Sequence, residues 1–86
     1  MEVIYNRSFL KQYEKLDPKI ERAFEKRITI FQVDPFAELL DNHRLIGKYI
    51  GFRSINITGD FRAIYKEMTE NVAEFYYIGT HSQLYK

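Results

Sequence analysis

The sequence predicts an α+β fold, in which an N-terminal strand and a two-helix hairpin pack on a small antiparallel sheet. Apolar residues recur with a helical period as far as Val33, and with the alternating period of a strand after the loop that ends at Asn42. Two Asp-Pro steps, at residues 17–18 and 34–35, divide the helical half into segments. With 86 residues, the chain is expected to form a single domain, residues 1–86, with a modest core.

The first half is predicted to contain one strand and two helices. Residues 1–5 (MEVIY) are short, apolar and β-prone, which is typical of a strand. Ser8 is predicted to be the N-cap of the first helix, in which residues 9, 13 and 16 form an apolar stripe. Asp17 is the predicted N-cap of the second helix, which is expected to run from Pro18 to about Val33. Because the connection is very short, the two helices should form an antiparallel pair.

The second half is predicted to be mainly strands joined by turns. Residues 36–42 read as a loop with a helical turn at 37–40, and residues 80–86 read as a short tail. Gly59-Asp60 and residues 69–71 have the composition of tight turns. The predicted strands are residues 49–58, residues 61–68 and residues 72 to about 79.

The composition excludes several classes of protein. The chain has no cysteine, so disulfides and thiolate metal sites are excluded. No apolar run approaches the roughly 20 residues that span a bilayer, and the first residues lack the pattern of a signal peptide. We therefore expect a cytoplasmic protein without a membrane partner.

The charge is concentrated in one segment. The net charge of the chain is only +1, but residues 43–66 carry five Lys or Arg against one Asp, a net +4. These cations are Arg44, Lys48, Arg53, Arg62 and Lys66. A localised basic segment is typical of a surface that binds an anionic ligand such as a nucleic-acid backbone. A solvated strand face is the alternative interpretation.

The titratable residues of this half suit metal-independent cleavage of RNA. That reaction needs a base for the ribose 2′-hydroxyl, an acid for the departing 5′-oxygen and a cation for the phosphate. His43 and His81, the only histidines, and Asp60 are the candidate acids and bases. Arg62 is the candidate cation at the reacting phosphate. Further candidates for binding the phosphates and bases of the substrate are Lys48, Arg53, Phe61 and Tyr85.

Simpler interpretations of these residues stay open. His43 lies in a polar loop where an exposed histidine without function is common, and Asp60 is an ordinary turn residue. The histidines are far apart in sequence and form no His-x-x-x-His pair, so a zinc site is not expected. There is no Gly-x-Ser-x-Gly elbow and no glycine-rich phosphate loop. We therefore expect neither a metal nor another cofactor.

Three segments carry a resemblance to a known family. They are GKYIGFRS (47–54), ITGDFRAIYK (57–66) and IGTHSQLY (78–85). The chain resembles the RelE/ParE superfamily of toxins over nearly its whole length, and most of all the YafQ branch. The resemblance implies a RelE-like fold and the activity of a ribosome-dependent mRNA interferase of a type II toxin–antitoxin system. It also implies a cognate antitoxin that wraps the toxin and covers its basic face.

The resemblance assigns roles to particular positions. His43, Asp60 and His81 match the titratable positions of the family, and Tyr85 matches a terminal aromatic residue. Phe61 falls where a tryptophan often occurs, and Arg62 matches an arginine that binds phosphate in other RelE-like branches.

Two positions depart from the family pattern. Asn56 stands where YafQ-like toxins have another histidine, and Tyr77 stands where relatives can have a basic residue. Two alternatives to an active interferase therefore remain. One is a ParE-like toxin that inhibits DNA gyrase without catalysis, and the other is a catalytically weakened copy that still binds its antitoxin.

Overall fold

The computed structural model describes residues 1–85, which form five strands and three helices. The strands are β1 (Glu2–Tyr5), β2 (His43–Arg44), β3 (Arg53–Asn56), β4 (Phe61–Thr69) and β5 (Val72–Thr80). The helices are α1 (Arg7–Glu14), α2 (Pro18–Val33) and α3 (His81–Leu84). Two single 3-10 turns, Glu38–Leu40 and Gly47–Tyr49, flank β2. The α+β class is confirmed.

The five strands form one sheet in the order β1-β5-β4-β3-β2. Strands β2 to β5 pair antiparallel, as the predicted small antiparallel sheet requires, and β1 joins its edge by pairing parallel with β5. Short turns join β3, β4 and β5 as hairpins, which are necessarily antiparallel. A long connection separates β1 from β5, and such a connection permits parallel pairing.

A polar side chain caps the N-terminus of each of the helices α1 and α2. The predicted cap of α2 is confirmed, because the Asp17 carboxylate accepts from the backbone N–H of Lys19 at 2.8 Å. The prediction for α1 is wrong by two residues. The N-cap is Asn6, whose side-chain oxygen accepts from both the backbone N–H (3.0 Å) and the hydroxyl (2.9 Å) of Ser8.

The core lies between the helices and one face of the sheet. Several of its aromatic residues contact one another edge to face, as Phe31 does with Tyr65 (ring centroids 4.9 Å apart) and with Phe75 (5.3 Å). The Tyr65 hydroxyl accepts a hydrogen bond from the side-chain amide of Asn42 at 2.8 Å. The core therefore also anchors the loop that precedes β2. The buried apolar side chains of this core are Phe9, Phe24, Ile28, Phe31, Leu40, Ile55, Ile57, Ala63, Tyr65, Ala73, Phe75 and Ile78.

The predicted strand at residues 49–58 is shorter in the structure. Gly51 (φ +91°) adopts a backbone conformation that breaks an extended chain, so the strand begins after it and runs from Arg53 to Asn56. The edge strand β2 and the helix α3 were not predicted. Helix α3 begins with a capping box, in which Thr80 Oγ1 accepts from Gln83 N (3.2 Å) and Gln83 Oε1 accepts from Thr80 N (2.8 Å).

Within residues 1–85, no helix combines the length and the apolar character that crossing a membrane requires.

Candidate active site

The strand register divides the predicted site residues between the two faces of the sheet. Asn56 lies opposite Arg62 and Ser54 lies opposite Ile64, whereas Ile55 lies opposite the core residue Ala63. Because successive side chains of a strand point to opposite faces, Ser54, Arg62 and Ile64 point away from the helices. We call this side of the sheet the open face.

A cleft at one end of the open face brings four of the predicted residues together. They come from three elements: His43 from β2, Arg62 from β4, and His81 and Tyr85 from α3 and the residue that follows it. Arg44, Leu45 and Ile46 complete the lining of this cleft. The sheet order places β2 and α3 on either side of β4, so the two histidines share one cavity although 37 positions separate them in the sequence.

Arg62 is held in one orientation by two neighbours. Its Nε donates to the hydroxyl of Ser54, a polar side chain that is fully buried, and one terminal nitrogen donates to the Asp41 carbonyl oxygen at 3.0 Å. The other terminal nitrogen lies 3.6 Å from the Asp41 carboxylate. The Arg62 side chain is only 14% exposed, whereas that of Asp41 is 72% exposed. The guanidinium is therefore positioned before any ligand binds.

His43 is oriented by the same carbonyl group. Its Nδ1 lies 2.9 Å from the Asp41 carbonyl oxygen. A carbonyl can only accept, so Nδ1 carries the hydrogen and, in the neutral ring, Nε2 keeps a free lone pair. Asp41 can present its carbonyl to both side chains because it adopts the left-handed conformation, with φ +46° and ψ 50°.

Asp41 is the site residue that sequence reasoning missed. The one signal for it is that aspartate and asparagine tolerate positive φ better than other residues with a side chain. Asp41 precedes an asparagine and a histidine in the loop, and this local sequence does not distinguish it from an ordinary loop residue.

His81 is fixed by main-chain and aromatic contacts. Its backbone N–H donates to the Asp60 carbonyl oxygen at 3.1 Å, and its ring centroid lies 4.7 Å from that of Tyr85. Tyr85 in turn contacts Tyr49 edge to face at 5.8 Å. The Tyr49 hydroxyl donates to the Leu84 carbonyl oxygen at 2.9 Å, which ties α3 to the 3-10 turn before β3. Burial raises the pKa of Tyr49, with further increases from Tyr77 and Tyr85, so this hydroxyl stays a donor.

Asp60 is a neighbour of His81 but does not line the cleft. The pairing of Phe61 with Thr80 places Asp60 directly beside the start of α3, and its side chain is exposed. The structure thus brings the hairpin acid and the terminal histidine to the same end of the sheet.

Three other predicted residues lie outside the cleft. Phe61 points to the opposite face of the sheet, where it packs against the main core. Arg53 donates its Nε to the Asn42 side-chain oxygen at 2.8 Å and lies over the Phe36 ring at 5.1 Å. Lys48 is exposed, with its ammonium 5.1 Å from the centre of the Tyr49 ring. The structure therefore does not group Phe61 or Arg53 with the histidines, because the period of 2 along a strand sends their side chains to the other face.

Among residues 1–85, no three His, Asp or Glu side chains come close enough together to hold a metal ion.

Comparisons with known proteins agree with this architecture. The sequence profile described as the bacterial toxin of the type II toxin–antitoxin system, YafQ, matches residues 1–86. The fold is similar to that of YafQ from E. coli strain BL21(DE3), with a TM-score of 0.82 and 20% identity over 99% of this chain and 98% of that chain. It is also similar to a YoeB/ParE toxin from Agrobacterium tumefaciens, with a TM-score of 0.76 and 24% identity over 94% of this chain and 99% of that chain.

A third similar structure includes a partner. The matching chain of the E. coli DinJ-YafQ complex has a TM-score of 0.71 and 22% identity, with coverage of 99% of this chain and 98% of that chain. At these identities the structures show a shared fold. No curated protein sequence matches the chain significantly.

Proposed function

We propose that this chain, which belongs to the YafQ family of toxins of type II toxin–antitoxin systems, cuts messenger RNA on the ribosome by metal-independent acid–base catalysis. The observation that carries the proposal is the cleft that contains both histidines of the chain together with a pre-oriented arginine. These are the groups that transfer of a phosphate to a neighbouring 2′-oxygen requires.

In the proposed mechanism, His43 is the general base. Its Nε2 takes the proton of the ribose 2′-hydroxyl, because Nδ1 is already committed to the Asp41 carbonyl. The 2′-oxygen then forms a bond to phosphorus as the bond from phosphorus to the 5′-oxygen breaks. His81 gives its proton to the departing 5′-oxygen. The products are a 2′,3′-cyclic phosphate and a free 5′-hydroxyl.

Arg62 stabilises the negative charge that develops on the phosphate oxygens. Its Nε and one terminal nitrogen are occupied by Ser54 and Asp41, so the remaining N–H groups of the fork are the ones available to the phosphate. The sequence left either His43 or Asp60 as the partner of His81. The cleft favours His43, since the Asp60 side chain is not part of its lining.

Tyr85 and Lys48 complete the proposed substrate contacts. The Tyr85 ring borders His81 at 4.7 Å, where it can stack on the base next to the scissile phosphate. Lys48 lies beside Tyr49, which itself contacts Tyr85, and would bind a neighbouring phosphate.

The proposed partner is a cognate antitoxin. The support is the family of the chain and its similarity in fold to a toxin crystallised as a DinJ-YafQ complex. Relief of toxicity on co-expression with the product of a neighbouring gene would identify that antitoxin.

The test is cleavage of a defined message by the purified protein with ribosomes, read by primer extension in buffer with and without EDTA. We expect cuts in both buffers, and a loss of roughly 10²- to 10⁴-fold in rate for either His81→Ala or His43→Ala. Lys26→Ala, on the exposed side of α2, is the matched surface control and should cut like the wild type. Thermal unfolding of each variant checks that it is folded.

Two outcomes would overturn the proposal: no cuts by the wild-type protein, or His81→Ala cutting as fast as wild type. A DNA-supercoiling assay with gyrase covers the ParE-like alternative. Inhibition of gyrase that survives His81→Ala would favour that alternative, whereas retained antitoxin binding without cleavage would indicate a weakened copy.

A further inference from the structure

Five aromatic side chains on the open face form a continuous row that begins at the cleft. We call it the aromatic track, and its members are Tyr85, Tyr49, Tyr77, Phe52 and Tyr76. Successive ring centroids are 5.8 Å (85 to 49), 5.6 Å (49 to 77), 6.4 Å (77 to 52) and 5.2 Å (52 to 76) apart. The contact of Tyr85 with His81 at 4.7 Å joins the track to the candidate active site.

An irregularity in the sheet creates the far end of the track. Ile64 pairs with Tyr77 and the next residue, Tyr65, pairs with Phe75, so Tyr76 is an extra residue in β5. Such a bulge re-aims side chains. As a result, Phe75 enters the core while Tyr76 contacts Phe52 on the open face.

The surroundings of the track differ from those of the core aromatic residues. Phe9, Phe24, Phe31 and Phe75 are at most 2% exposed. All five members of the track are half-buried residues rather than fully buried ones. Two lysines lie against the row: Lys48 Nζ is 5.1 Å from the Tyr49 ring centre, and Lys66 Nζ is 5.7 Å from that of Phe52.

We propose that the aromatic track binds the single-stranded RNA that flanks the cleavage point. Partly exposed rings on which bases stack, with cations at the spacing of the backbone, are the features of surfaces that bind single-stranded nucleic acid without strong sequence preference. The track runs from the cleft, so a strand held by Tyr85 at the cut extends over Tyr49 and Tyr77 toward Phe52 and Tyr76. This inference rests on the proposed function.

A role in packing alone explains less of the arrangement. The rings do cover Ile64, which faces this side and is fully buried. Covering one isoleucine does not require a lysine against each of two rings. Tyr76, at the far end of the row, makes one further contact, since its hydroxyl donates to the Glu74 carboxylate at 3.3 Å. The experiment therefore targets Tyr76, the track member most distant from His81 along the chain of ring contacts.

The probe is 2′-O-methyl RNA, which cannot be cut, in lengths of two and six nucleotides, with binding read by fluorescence anisotropy. We expect the hexanucleotide to bind at least tenfold more tightly than the dinucleotide. Tyr76→Leu, which keeps apolar volume but removes the ring, should weaken hexanucleotide binding roughly tenfold and leave dinucleotide binding unchanged. Tyr76→Phe, the matched control that keeps the ring, should bind like wild type.

A second pair of variants tests the cations. Lys66→Gln should reduce the slope of log affinity against log salt by about 0.7, the value for one phosphate contact to a single strand. Lys26→Gln, on the outer side of α2, should leave the slope unchanged. Equal binding of the two RNA lengths, or equal binding by Tyr76→Leu and Tyr76→Phe, would overturn the inference.

The outcomes separate this inference from the proposed function. If the track variants change binding but the wild type never cuts a cleavable message, the catalytic proposal fails and the track remains. If the wild type cuts and the Tyr76 variants bind and cut like it, only the track is refuted.

Discussion

The main-chain carbonyl of Asp41, rather than its carboxylate, is predicted to organise the site. That carbonyl contacts His43 Nδ1 at 2.9 Å and a terminal nitrogen of Arg62 at 3.0 Å, whereas the carboxylate lies 3.6 Å from Arg62. Two substitutions separate these contributions. Asp41→Asn removes the charge but tolerates the left-handed conformation, and Asp41→Val disfavours that conformation.

The expected magnitudes follow from exposure and backbone geometry. The Asp41 side chain is 72% exposed, and an ion pair so open to solvent contributes about 0–1 kcal/mol. Asp41→Asn should therefore lower the cleavage rate by no more than about fivefold. A left-handed conformation costs a residue with a Cβ about 1–2 kcal/mol, and a β-branched residue more. Asp41→Val should then lose roughly thirtyfold or more, because the chain moves the carbonyl away from both side chains.

The assay is single-turnover cleavage on ribosomes over a range of pH, with Asp41→Gly as the control that relieves backbone strain. We expect activity to fall in the order wild type, Asn, Gly, Val. A loss in Asp41→Asn as large as that in Asp41→Val would refute the reasoning, because it would place the effect in the carboxylate.

Two further predictions concern residues that support the site. Arg62→Lys keeps the charge but cannot contact both Ser54 and Asp41, so the cleavage rate should fall on the order of tenfold. The substitution also leaves the buried Ser54 hydroxyl without its partner, which should lower the free energy of unfolding by about 1–3 kcal/mol. Urea unfolding and cleavage by Arg62→Lys at one pH check both numbers, and an unchanged rate would contradict the orienting role. Burial raises the pKa of Tyr65, partly offset by its hydrogen bond to Asn42, so the unfolded state ionises first. The contribution of Tyr65 to the free energy of unfolding should be fully present below about pH 10 and be lost as the pH rises above it. In urea titrations over this range, the free energy of unfolding of Tyr65→Phe should therefore fall less steeply with pH than that of the wild type. Equal slopes for the two proteins would contradict this.

The parts of the fold that the sequence predicted well depend on local patterns. Helix α2 begins at Pro18 after its Asp17 cap and ends at Val33 as predicted, because cap, stripe and Asp-Pro stop act within a few residues of one another. The strand β4 and the turn before it follow from alternation and from Gly59-Asp60 for the same reason.

The site was harder to predict because it depends on register. The pairing of β3 with β4, and the residue at which each strand begins, decide whether Arg53 and Arg62 lie on the same face of the sheet. The left-handed glycine at 51 shifts the beginning of β3 toward the C-terminus relative to the predicted strand. The two-residue strand β2 is too short to leave an alternating pattern. Of the residues that the sequence proposed for the site, His43, Arg62, His81 and Tyr85 lie together in the cleft, whereas Phe61 and Arg53 point to the other face.

The two proposed catalytic histidines lie on the shortest strand and the shortest α-helix, His43 on the two-residue strand β2 and His81 on the four-residue helix α3. Neither element contributes many side chains to the main core: β2 is held by its two-residue pairing with β3, and α3 begins with the Thr80–Gln83 capping box. The His43 side chain is oriented by the Asp41 carbonyl. Elements with few buried contacts open at lower free energy than the core. The cleft can therefore lose its geometry while the sheet stays folded, which is why the predicted effects of Asp41 substitutions should appear in cleavage well before they appear in global unfolding.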